Sequence, residues 1–259
     1  MVYFLSFFYG AALGSFVNVI VQRLHIAPIL NGRSKCLSCG EKINWFDLIP
    51  VVSYLVLRGR CRSCKHRFGV ENLIVEILYG AVFVLVYSMV LSGLPIGVVS
   101  IGWLAYYSLL FVSLGVMALY DFKHTYIPLS FFGVFLTLCS IMMGMKLLHD
   151  VSPDTILGPV ATALPFFLIY LITRGKALGF GDVLMYVAVG AFFGVAQGLA
   201  VLLLSVWLGA LVGGVLHIAQ RKKYSLTSGI PFIPFIACVF VIVLFTDIDI
   251  FSIVSLLHS

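Results

Sequence analysis

The sequence predicts an all-α polytopic membrane protein of about eight transmembrane helices. Three observations carry that reading: an extreme apolar composition, apolar runs of membrane-spanning length, and basic residues confined to alternate loops. Of 259 residues, 62% are apolar and only 10% charged, and the mean hydropathy is +1.14, far outside the range of a soluble domain. Crossing ~30 Å of hydrocarbon takes about 20 mostly apolar residues. The chain offers such runs at residues 2–22, 71–92, 98–120, 128–146, 157–173, 182–197, 199–219 and 231–247. The first is too long for a signal-peptide core and lacks a basic start, so it is expected to remain as the first helix. The sixth and seventh are separated only by a tight turn between Gly194 and Gly198. The resulting division is a first helix at 1–22, a loop at 23–70 and a membrane core at 71–259.

Lys and Arg favour cytoplasmic loops. With the amino terminus outside, the cytoplasmic segments are 23–70, 121–127, 174–181 and 220–230, and they hold 15 of the 16 Lys and Arg residues; only Lys146 falls on the other side. The run 221-RKK-223 suits anionic lipid headgroups, so membrane lipids are expected partners and nucleic acid is not. Asp121 and Asp182 fall at the cytoplasmic boundary, whereas Asp150, Asp154, Asp247 and Asp249 fall at or beyond the opposite one.

The loop at 23–70 contains 36-CLSC-39 and 61-CRSC-64, 21 residues apart. Each Cys-x-x-Cys knuckle offers two thiolates from one tight turn, and two knuckles suit a tetrahedral Zn2+ held by Cys36, Cys39, Cys61 and Cys64. Two disulfides are the competing reading, but a cytoplasmic loop is kept reducing. Four thiolates leave no open position for water, so such a metal is structural, in a loop with little core of its own. Cys139 and Cys238 lie in apolar runs as small hydrophobes, and Asp47 inside the loop reads as a turn or salt-bridge residue.

Only ten Asp and Glu residues serve the whole chain, and charges in or at the edge of membrane segments are costly enough to be functional candidates. Asp121 closes the third run in 117-MALYDFKHTYIP-128, and Asp182 opens the sixth in 177-ALGFGDVLMY-186. Each alone reads as an interfacial cap. Two at matching depth on separate helices offer peptide hydrolysis by an aspartic dyad: one carboxylate takes a proton from water while its protonated partner polarises the scissile carbonyl. Like charges in close contact share the proton. Gly179 and Gly181 let the backbone turn sharply and let an extended peptide approach Asp182; Phe180 between them either lines a substrate pocket or anchors the turn in lipid. Asp121 is expected at the carboxyl end of its helix and Asp182 at an amino end, which favours Asp182 as the base. Glu76, alone in an apolar helix, is expected to orient substrate or to join a cofactor site. Neither His-Glu-x-x-His nor Gly-x-Ser-x-Gly occurs, which excludes a zinc metalloprotease of that kind and weakens a serine mechanism.

These features together resemble the bacterial type IV prepilin peptidases, also called prepilin leader peptidases, among the Gly-x-Gly-Asp intramembrane aspartic proteases. The resemblance covers almost the whole length: 14-GSFVNVIVQRL-24, both cysteine pairs, 45-WFDLIPVVSYLVLRGRCRSC-64, Glu76 in 75-VEIL-78, Asp121 with Ile127-Pro128 after it, 179-GFGD-182 and 230-IPFIPF-235. It departs at 69-GVENL-73, at Leu129, where an acid is usual, and at Ile233, where a glycine is usual. The resemblance implies that Asp121 and Asp182 are the catalytic pair, in an enzyme of the bacterial inner membrane. It implies prepilins or pseudopilins as substrates, cut after a glycine at the cytoplasmic face. Members with the cysteine pairs often also methylate the new amino terminus from S-adenosylmethionine, with Glu76 as a candidate there. The alternatives are a proton-coupled transporter, with Asp121, Asp182 and Glu76 as a relay, and a non-enzymatic assembly factor docking through the zinc loop. Boundary acids and the lack of an evident repeat disfavour the transporter.

Overall fold

The computed structural model describes residues 1–24, 34–36, 38–93, 97–176, 178–219 and 231–258; the basic run 221–223 lies outside them. Among the described residues the regular structure is helical, with two isolated antiparallel bridges, Lys35 with Lys42 and Arg60 with Arg67. The chain divides into two compact units, residues 1–112 and 113–259.

The first unit holds α1 (Val2–Arg23), a 3-10 turn (Trp45–Leu48), the short α2 (Val52–Val56), α3 (Val70–Gly93) and the first part of α4 (Val98–His124). α1 packs along α3. Small residues make the seam: a Cβ on Gly14 would come within 2.9 Å of the Val75 carbonyl, and one on Gly10 would strike the Tyr79 carbonyl. Membrane helices bring their backbones together through such residues, because lipid tails compete for every larger apolar side chain. Tyr79 then donates its hydroxyl to the Phe111 carbonyl at 2.7 Å, and the Tyr9 hydroxyl pairs with that of Ser108 at 2.9 Å. Phe4, Ile74, Leu78 and Ile101 stay exposed, on helices long and apolar enough to cross a membrane.

The second unit holds the rest of α4, then α5 (Leu129–His149), α6 (Pro153–Thr173), α7 (Phe180–Phe193), α8 (Val195–Ala219), α9 (Ile233–Thr246) and α10 (Ile250–His258). All eight expected apolar runs are helices. Six of them, α1, α3, α4, α5, α6 and α8, are long and apolar enough to cross a membrane, while α7 and α9 have 14 residues each. Both short helices stop at left-handed residues: α7 at Gly194 (φ 91°) and α9 at Asp247 (φ 52°). Fourteen residues make ~21 Å of helix, short of the ~30 Å of hydrocarbon.

α7 lies deepest in this unit. A Cβ on Gly158 of α6 would strike the Gly190 carbonyl of α7, and one on Gly190 would strike the Gly158 carbonyl, so the two backbones touch. Thr162 of α6 bonds the Tyr186 carbonyl at 2.7 Å, and the buried Tyr186 hydroxyl pairs with Ser205 of α8. Phe240 of α9 packs 4.9 and 4.8 Å from Phe192 and Phe193 of α7, and 5.8 Å from Phe135 of α5. The nine-residue α10, an element the sequence reading did not anticipate, is capped by Asp249, which accepts the Ser252 N–H at 2.7 Å.

Candidate active site and metal centre

In the first unit the four loop cysteines converge, with their sulfurs all within 4.8 Å of one another. Cys36 and Cys64 Sγ are 3.8 Å apart, which is the edge of a tetrahedron with metal–sulfur bonds of ~2.3 Å. Cys36, Cys39, Cys61 and Cys64 can therefore hold a metal ion. Their two knuckles are built alike. Cys36 N–H donates to the Glu41 carbonyl and Gly40 N–H returns to Cys36, both at 2.9 Å; Cys61 N–H donates to His66 at 2.8 Å and Lys65 N–H returns to Cys61 at 3.1 Å. Each turn closes on a left-handed residue, Gly40 (φ 72°) in one and Lys65 (φ 60°) in the other. The backbone N–H groups of Cys39 and Ser38 lower the Cys36 thiol to about 6, toward the thiolate a metal requires. Arg62 grips both oxygens of Asp47, at 3.0 and 2.6 Å, and ties the 3-10 turn to the second knuckle.

Glu76 on α3 is 9% exposed and has a definite partner: its Oε2 accepts the Val51 N–H at 2.8 Å. Val51 is a β-branched residue at φ 62°, a conformation that persists only when its surroundings hold it. Glu76 thus anchors the turn that leads from Pro50 into α2. In α1, Asn18 Nδ2 is the buried side-chain nitrogen without a partner among the described residues.

The second unit brings together the two aspartates that the sequence singles out. Asp121 lies in the last turn of α4 and Asp182 in the first turn of α7. α4 stops because Thr125 turns left-handed (φ 52°) and returns its N–H to the Asp121 carbonyl at 2.8 Å, with Pro128 following as the cap of α5. Asp121 is 7% exposed, Asp182 is half-buried, and they lie close enough for the charge of Asp121 to act on Asp182.

The glycines around Asp182 divide their work. A Cβ on Gly181 would strike Ile127, so Gly181 admits the segment that follows Asp121 and draws the start of α7 against it. Among the described residues a Cβ on Gly179 would meet only Asp182 Oδ2, at 3.6 Å. Phe180 is 47% exposed and rests its ring 5.4 Å from that of Tyr170. The exposed His124 lies over Tyr120, with ring centroids 4.5 Å apart.

One contributor escapes the sequence reading. The Ile233 N–H, in the first turn of α9, donates to Asp121 Oδ2 at 3.1 Å. Asp121 thereby caps the amino end of α9, where the first N–H groups of a helix have no partner of their own. The available signal was 230-IPFIPF-235, in which Ile233 keeps its donor while Pro231 and Pro234 have none. α4 also continues three residues beyond Asp121, to His124. Helix ends alone therefore no longer single out Asp182 as the base.

Residues 8–90, with all four loop cysteines and Glu76, match the family model of the Bacterial Peptidase A24 N-terminal domain. Residues 108–214, with both aspartates, match that of the Type IV leader peptidase family. Three curated relatives carry the name prepilin leader peptidase/N-methyltransferase. The chain is 32% identical to that of Myxococcus xanthus over 83% of its own length and 63% of the relative's. It is 30% identical to that of Vibrio cholerae over 90% and 92%, and 29% identical to that of Pseudomonas putida over 88% and 85%. No solved structure matches significantly. With helices long and apolar enough to span a membrane, and with the four cysteines and the two aspartates inside the matched ranges, the chain is an integral membrane protein that belongs to the type IV leader peptidase family.

Proposed function

We propose that the chain is a membrane aspartic endopeptidase. It removes the short basic leader of type IV prepilins or pseudopilins at the cytoplasmic face of the bacterial inner membrane, and it also methylates the new amino terminus. The observation that carries the peptidase reading is the fit of Gly181, beside Asp182, against Ile127, in the segment that follows Asp121. The pair holds one proton between them. The ionised member takes a proton from water, the protonated member polarises the scissile carbonyl, and the attacking hydroxyl forms the tetrahedral intermediate; the proton then passes to the leaving amine as the C–N bond breaks. The Ile233 N–H steadies Asp121 through this cycle, and the open side at Gly179 is where an extended peptide enters. The boundary placement of both acids and the basic segments on the same side support a cytoplasmic site with the amino terminus outside.

The four thiolate ligands fit Zn2+, which here would hold the loop's shape. Glu76 positions the same loop through Val51. Methyl transfer from S-adenosylmethionine rests on the names of the relatives and on the family. The orphaned Asn18 amide is a single donor and does not make a cofactor site, so no step is assigned to it.

The test is co-expression with a prepilin and mass spectrometry of its amino terminus. Wild type yields a shortened pilin with an added methyl group. Asp121→Asn and Asp182→Asn, at unchanged protein level, leave the leader in place. Processing by both variants overturns the peptidase reading, and a shortened but unmethylated terminus removes methyl transfer alone.

A further inference from the structure

Lys146 is the one Lys or Arg outside the four basic segments, and the cleavage mechanism makes no use of it. It projects from the last turn of α5, and its Nζ donates to the Phe192 and Phe193 carbonyls at 2.8 and 3.3 Å, the final carbonyls of α7. Both phenylalanines are buried. From the first turn of α6, Asp154 Oδ1 accepts the Ala196 N–H at 3.0 Å, at the start of α8. Asp154 Oδ2 occupies the place a Cβ would need on Gly194, so the left-handed glycine between α7 and α8 sits inside the carboxylate's reach. The charge of Asp154 also acts on Lys146.

The placement has a physical reason. α7 is only ~21 Å long, and it ends at Phe192 and Phe193, both buried inside the unit. Where the chain turns at Gly194, the last carbonyls of α7 and the first N–H groups of α8 lack partners within their own helices and must find them elsewhere. A cation for the carbonyl end and an anion for the N–H end are the matching pair. Because α7 is a single rigid helix, whatever fixes its far end also fixes Asp182 at the near end.

We propose that Lys146 and Asp154 form a polar clasp on the α7–α8 turn that sets the axial position of α7, and with it the depth at which Asp182 meets the peptide bond. They are positioning residues. The proposal rests on the reading of Asp182 as a member of the cleaving pair.

The test uses the full-length protein in lipid nanodiscs with Lys146→Met and Lys146→Arg. kcat and KM are measured on a prepilin and on versions with one residue inserted or deleted between the scissile bond and the apolar segment. Lys146→Met is expected to lower kcat roughly 10- to 100-fold per folded molecule with KM little changed, and to alter the ranking of the shifted substrates. Lys146→Arg restores most of the rate. A second arm needs no activity: Asp182→Cys, alone or with Lys146→Met, is labelled with a membrane-impermeant maleimide and quantified on its own peptide. The clasp predicts a several-fold change in labelling rate. Unchanged labelling overturns the proposal. So does a rate loss that merely tracks thermal stability, with the same substrate ranking and no rescue by Arg. If Asp182→Asn keeps full activity, the cleavage reading fails instead, and the labelling arm still decides the clasp.

Discussion

Each unit of the chain buries one carboxylate on an apolar helix, and each carboxylate accepts a backbone N–H from a distant segment: Glu76 from Val51 at 2.8 Å, Asp121 from Ile233 at 3.1 Å. Up to that point the two sites are the same device, an acid that satisfies a donor the local backbone cannot. They differ in what stands beside them. Asp121 has a second carboxylate within electrostatic reach, whereas the partner of Glu76 is the turn at Val51. A single buried acid with a donor serves as an anchor; two acids close enough to share a proton are, on the proposed function, a reagent.

The sharpest way to break that comparison is to neutralise each acid while keeping its shape. Asp121→Asn or Asp182→Asn is expected to lower prepilin cleavage by about 10²- to 10⁴-fold. Glu76→Gln still offers an oxygen to Val51 and is expected to lower it by less than about tenfold on the same principle that only the hydrogen bond is touched. Equal losses would erase the distinction between anchor and reagent.

A smaller effect probes how the aspartates are brought together. Gly181→Ala places a methyl group where Ile127 sits and is expected to slow cleavage by roughly 100-fold through misplacement alone. Ile127→Ala in the same chain makes room and recovers much of the rate. Failure of that rescue would mean that Gly181 serves the substrate rather than the contact with Ile127.

The anchor is tested by removing its acceptor. Glu76→Ala leaves the Val51 N–H buried without a partner, at about 1–3 kcal/mol, and is expected to speed limited proteolysis between residues 45 and 60 and to weaken metal retention. If the four cysteines hold a metal as proposed, chelating it from the wild-type protein should expose the same segment. If chelation leaves it protected, the four cysteines do not support the loop.

The smallest effect is expected at Asp47. Arg62, first by hydrogen bonding and then by charge, holds the Asp47 carboxyl below its ordinary value. A depressed folded value means that the contribution is present above the unfolded pKa of ~3.9 and is lost as pH falls through the folded one. Asp47→Asn should therefore loosen the loop slightly at neutral pH, read as a small gain in nicking. The difference from wild type should vanish in strong acid. Screening by salt should also shrink it, since the Arg62 side chain is 53% exposed.

Much of this was legible in the sequence because its signals are local. Apolar runs place all eight helices, and two Cys-x-x-Cys turns with the right separation announce their convergence. Two scarce acids at run boundaries mark the candidate site. What escaped was set by contacts across the chain. Nothing near Asp121 reveals that its acceptor is taken by Ile233, 112 residues away. Gly181 looked like an opening for substrate because its neighbour in space, Ile127, is 54 residues distant in sequence. The run 182–197 looked like a full span since hydropathy does not register that Gly194 turns left-handed and ends the helix early.

The bond between Ile233 and Asp121 gives the chemistry a mechanical side. A carboxylate accepts a hydrogen bond more strongly than a neutral acid does. If the two aspartates share a proton as proposed, the grip on the first turn of α9 tightens and slackens as that proton moves between them. On that proposal each turnover would reach α9, a helix that takes no part in bond breaking, and α9 would be the element from which the charge state of the site can be read at a distance.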